Sequence, residues 1–87
     1  MTYKAPTQDM LFNIRHIANI DAIAEMPAYA DAGFDTAQAV LEECAKFNEA
    51  VVAPLNWAGD QNPSHWENFA VKTTPGFKEA FQQYGQA

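Results

Sequence analysis

Val40, Cys44, Phe47, Val51, Leu55 and Ala58 step along the chain by four, three, four, four and three residues, the spacing of one face of an α-helix. Leu41, Ala45 and Val52 widen that stripe to an arc of roughly 160°, at about 100° per residue. A continuous helix carrying it would be ~35 Å long at ~1.5 Å per residue. Such a helix dominates a short chain. Pro54 lies inside the stripe. It has no N–H for an i→i−4 bond, and its ring meets the carbonyl of Ala50, at a cost of about 3 kcal/mol in a regular helix.

The signals at the ends of this helix are local. Asp35 and Gln38 form D-x-x-Q, a pair related to the capping box, and Gly59 offers a C-terminal stop. Glu42 and Lys46 stand four apart in the favourable order. Three shorter helices are expected around it. Residues 1–8 read as an extended arm, with Pro6 turning Ala5 away from helix. Met10, Ile14 and Ile17, with Leu11 and Ala18 beside them, then repeat at helical spacing, with Thr7 as cap and Asp9 in the first turn.

A second short helix is expected from Asp21, as N-cap, to about Met26, ended by Pro27. The stretch PAYADAGF follows as a loop, and residues 60–67 read as polar loop with a turn at Asn62-Pro63. FAVKT alternates with period two and admits a short β-hairpin near 69–73. The third short helix opens at Thr74-Pro75, read as hydroxyl cap and first-turn proline. Phe77, Ala80, Phe81 and Tyr84 line one of its faces, and Gly85 offers its C-terminal stop.

With 87 residues the chain has room for one domain at most, near the size where a single core becomes marginal. Five Lys and Arg against eleven Asp and Glu leave a net charge of −6, without a basic run. Phosphate-backbone affinity comes from clustered cations, so nucleic acid is excluded as an expected partner. MLFNIRHIANI is broken by Arg15 and His16 and is too short to span a bilayer. No membrane span or signal peptide is expected, and the cytoplasm is the default compartment. NPS at 62–64 is no glycosylation acceptor, because proline takes its middle position.

Few residues invite chemistry. His16 and His65 lie far apart, neither at zinc-ligand spacing, and a structural or solvent-facing role is expected for both. Cys44, the single cysteine, falls in the middle of the apolar stripe, where a small buried thiol is the ordinary case, and core packing is expected for it. Glu42 and Glu43 are neighbours, and adjacent helical side chains do not face each other. There is no glycine-rich phosphate loop, nucleophile elbow or H-E-x-x-H. No catalytic, cofactor-binding or metal-ligating residue is assigned. The wide apolar arc, with Phe12, Phe34, Trp57, Trp66 and Phe69, favours a module that docks on something larger over a bundle closed on itself.

Three stretches carry a family resemblance. VLEECAKFNEAVVAPLNWAGD resembles the early helix of acyl-CoA dehydrogenases, with Phe47, Val52, Ala53, Pro54 and Asp60 at the positions of its pattern. YKAPTQDMLFNI is similar to the N-terminal signature of the long subgroup, which includes broad-specificity acyl-CoA and 3-methylmercaptopropionyl-CoA dehydrogenases. VKTTPGFKEAFQQYGQA is similar to a further segment of that subgroup. The resemblance is collinear over nearly the whole chain, and departs from the usual pattern in NWAGDQNPSHWEN.

The resemblance implies an all-α fold, in which residues 1–87 are an N-terminal helical segment of an acyl-CoA dehydrogenase, incomplete and inactive alone. For the parent enzyme it implies FAD, an acyl-CoA substrate, an electron-transferring flavoprotein and homo-oligomers. The implied reaction is α,β-desaturation, in which a glutamate takes the α proton and the β hydride passes to the flavin. In the family those groups lie beyond the position of Ala87, so none is carried over. No cofactor is expected on this segment. Its expected partner is the remainder of the dehydrogenase or another copy of the chain. The resemblance also puts a proline in the family's helix, so a kink is expected: helix over 36–58, bent near 50–54. The rival is a stand-alone acidic helical interaction module without a cofactor.

Overall fold

The computed structural model describes residues 2–87. In chain order the elements are α1 (Thr7–Phe12) with a π turn (Asn13–Ile17), α2 (Ile20–Ala24), a 3₁₀ turn (Pro27–Tyr29), α3 (Phe34–Phe47), a second π turn (Asn48–Val52), α4 (Ala53–Gln61), β1 (His65–Glu67), β2 (Ala70–Lys72) and α5 (Phe77–Gln86). The chain is mostly helical, with one small antiparallel sheet, so the all-α class holds, as do the long helix and three short ones. Packing divides it into two compact units, Lys4–Lys46 and Phe47–Ala87, the latter also taking in Tyr3.

The long helix runs without interruption through residues 34–61 and is bent, as the proline required. Its irregularity takes the form of the π turn at Asn48–Val52. Ala53 supplies the last N–H before Pro54, and it reaches back five residues to the Asn48 carbonyl instead of four. A widened turn of this kind is a recognised cause of helix kinks and sits where the ring of Pro54 would otherwise press on the preceding turn. Pro54 falls in the first turn of α4, where a missing donor matters least.

Both ends of this helix differ from expectation. It begins at Phe34, with Asp35 already in the first turn, and the amide of Gln38 donates to Glu42 Oε1 at 3.0 Å instead of capping backwards. Lys46 pairs with Glu43, three residues away, at 2.6 Å. The expected Glu42–Lys46 partnership gives way because an i,i+3 carboxylate is equally within reach of a flexible lysine. At the other end Gly59 does not stop the helix, which continues to Gln61. The face itself is only partly covered. Ala45 is buried and Leu41, Cys44, Phe47, Val51, Leu55 and Ala58 are half-buried, whereas Val40 and Val52 are exposed.

In the unit Lys4–Lys46, α1 starts at Thr7 with Pro6 as its flanking residue, so the arm is shorter than expected and Thr7 is no cap. The Thr7 N–H donates to Ala5 O at 2.8 Å, a local turn that lets helix begin directly after the proline. Leu11 is the buried side chain of α1, while Met10 and Ile17 stay exposed. Asn19, in the left-handed region at φ 55°, precedes α2, and its carbonyl accepts from Ala22 and Ile23. Asp21 therefore lies inside the first turn and does not cap it; asparagine tolerates that backbone region better than most residues. Pro27 both ends α2's segment and opens the 3₁₀ turn within the expected loop.

In the unit Phe47–Ala87 the hairpin forms, with His65↔Lys72, Trp66↔Val71 and Glu67↔Ala70 paired. Its first arm falls in the stretch read as polar loop, and Phe69 belongs to the turn, not to the strand. Asn68 and Phe69 both have positive φ, 50° and 64°, the pattern of a type I′ turn between paired strands. Thr74 does not cap α5. It is closed by a turn in which Phe77 N–H donates to Thr74 O at 3.1 Å, and Gly76 has φ 96° and ψ −20°. Pro75-Gly76 thus fill the central positions of a type II turn, and α5 starts one step later with Gly76 as its flanking residue. Ala80 is buried, and Gly85 lies within α5 instead of ending it.

Candidate functional site

The residues that invited chemistry remain apart. His16 sits in the first π turn with its ring 4.8 Å from that of Phe12, in a tilted arrangement, and is exposed. His65 is on β1, where Nε2 lies 3.4 Å from Glu67 Oε2 at the surface. Cys44 is half-buried in α3. Among the described residues no group of three His, Cys, Asp or Glu is placed to hold a metal ion.

The two glutamates are engaged separately, as their adjacent positions required. Glu42 accepts from Gln38, and Glu43 from Lys46. The hydrogen bond that Lys46 donates to Glu43, followed by the Coulomb attraction of that carboxylate, holds the Lys46 ammonium above its ordinary pKa of 10.5. Glu42 adds a weaker attraction of the same sign. All three side chains are exposed, so the arrangement is a solvated charge cluster on α3.

A concave feature lies within the unit Lys4–Lys46. It is an open, polar cleft of about 510 Å³, bordered by Arg15, Asp21, Asp31, Phe34 and Asp35. The Arg15 guanidinium carbon stands 3.8 Å from the centroid of the Phe34 ring, and its Nε lies 4.0 Å from Asp21 Oδ2. Cation–π contact and the carboxylate together fix this side chain against the start of α3. Sequence reasoning saw Arg15 only as a break in an apolar run, because its two partners lie on later elements with no local spacing to mark them.

The donor set of this cleft does not suit FAD or coenzyme A. Both present phosphates, and here three carboxylates surround one cation that is already engaged. None of the residues that border this cleft is therefore given a place in flavin or thioester chemistry.

The remaining surface is conspicuous for aromatic side chains. Trp66 and Phe69 meet edge to face on the hairpin with centroids 5.8 Å apart, and Phe69 is 93% exposed. Trp57 on α4 and Phe81 and Tyr84 on α5 are also exposed, although Tyr84 reaches the Phe47 ring at 5.9 Å. In the other unit Phe12 is exposed, while Phe34 is half-buried beneath Arg15. Among the described residues the buried hydrophobic side chains are Leu11, Ala45 and Ala80. No described helix is long and apolar enough to cross a membrane.

No family model matches the chain. Over 84 residues, 97% of its length, it is 34% identical to a 3-methylmercaptopropionyl-CoA dehydrogenase from Ruegeria pomeroyi. The chain is similar to part of an acyl-CoA dehydrogenase. It spans 14% of the length of that dehydrogenase, so the similarity concerns one segment of a much larger enzyme. The helical class, the bent long helix and the hairpin accord with a segment of such a dehydrogenase.

Proposed function

We propose that this chain is the N-terminal helical segment of an FAD-dependent acyl-CoA dehydrogenase of the long subgroup, structural in role and without catalytic activity alone. The observation that carries the proposal is the 34% identity to a dehydrogenase, sustained over 97% of the chain. The three motifs around Phe47–Asp60, Tyr3–Ile14 and Val71–Ala87 accord with it. The exposed aromatic and aliphatic side chains of both units suit a segment that depends on the remainder of the enzyme, or on another subunit, for cover.

The whole enzyme would desaturate an acyl-CoA thioester at its α,β position and pass electrons to an electron-transferring flavoprotein. FAD would act as the hydride acceptor, held by residues outside this segment. The parent would be a cytoplasmic homo-oligomer. The helices described here would serve it as packing surface.

The test is to express the complete reading frame that contains these 87 codons. The expected product carries flavin absorbance and reduces a dye acceptor when given an acyl-CoA. A reading frame ending at Ala87, or a longer product that binds no flavin, overturns the proposal. Thermal unfolding of the 87-residue chain with light scattering gives a second check. A dehydrogenase segment is expected to bind an apolar dye and self-associate, whereas a cooperative, monodisperse transition favours a stand-alone interaction module.

A further inference from the structure

We draw no further inference here: the strongest candidate, the exposed aromatic pair Trp66 and Phe69 on the β1–β2 hairpin, is an unpartnered apolar patch, and nothing in the structure shows what covers it.

Discussion

The hydroxyl of Thr74 donates a 2.6 Å hydrogen bond to the carbonyl of Asn62, twelve residues earlier in the chain. Thr74 is 2% exposed, and its own N–H donates to Ser64 Oγ at 3.3 Å. Through its hydroxyl and its backbone N–H, this residue ties the segment before α5 to the end of the long helix and to the approach to β1. Replacing it with valine keeps the shape and removes the donor, and is expected to cost about 1–2 kcal/mol. Serine keeps the hydroxyl and loses a methyl group worth about 0.8 kcal/mol when buried. Urea unfolding should therefore rank Thr74→Ser above Thr74→Val. A Thr74→Val variant as stable as the wild type, or more stable than Thr74→Ser, would show that volume, and not the hydrogen bond, is what Thr74 contributes.

Gly76 meets two constraints together. Its φ is 96°, and a Cβ at this position would lie 2.8 Å from Leu55 Cδ2. Gly76→Ala is expected to lose about 1–3 kcal/mol, from the left-handed backbone and from the displaced leucine. A double-mutant cycle with Leu55→Ala separates the two causes. Coupling that relieves part of the loss would reflect the steric contact, and the part that persists would reflect backbone strain. A tolerated Gly76→Ala would contradict the turn described before α5.

Phe69 occupies a turn position that ordinarily favours glycine, at φ 64° and with its ring almost wholly exposed. Phe69→Gly creates an Asn-Gly turn and is expected to stabilise the hairpin by about 1 kcal/mol through relief of strain. The edge contact with Trp66 is lost, but an exposed ring has little burial to forfeit. Amide exchange of residues 65–72 measures the result. Faster exchange in the variant would mean that the Trp66 contact outweighs the strain.

Lys46 gives a prediction about charge. Its pKa is raised, chiefly by the hydrogen bond it donates to Glu43, so the pair's contribution is complete below the ordinary lysine value of 10.5. That contribution disappears as pH rises through the higher folded value, and none of it varies near neutrality. Glu43→Gln should return the Lys46 titration, followed by NMR at the side-chain carbon next to nitrogen, toward 10.5. Glu42→Gln should move it less, and added salt should shrink both effects because the groups are exposed. Equal shifts from the two substitutions would contradict the pairing.

Periodicity made the main elements legible. The stripe from Val40 to Ala58 announced a long helix, the residues 10–18 and 77–84 announced two shorter ones, and the alternation at FAVKT announced a short strand or one arm of a hairpin, whose other arm at His65–Glu67 reads as loop. Pro54 marked where the long helix had to deform. Its consequence, a π turn instead of a break, depended on whether one residue could be absorbed without losing the helix on either side.

End signals were less legible, because each had a competing local use. Asp35, Asp21 and Thr74 all have capping chemistry, yet none caps its helix. Thr-Pro suggested a helix start, whereas Pro-Gly one residue later formed the turn that actually preceded α5. The absence of an expected catalytic set was a statement about motifs. The Arg15–Phe34 contact was invisible, since it joins residues brought together by folding alone.

The sequence by itself determined the class, the place of the bend and the acidic charge balance. Those follow from covalent facts: side-chain polarity repeated at 3.6 residues, a proline without a donor, and a charge balance hostile to phosphate. Only the tertiary structure decided which polar groups found each other. Lys46 chose Glu43, Thr74 chose the Asn62 carbonyl, and Phe69 came to stand exposed in a strained turn. Such choices differ by about a kilocalorie per mole, so they are settled by the geometry of neighbouring elements and not by residue type.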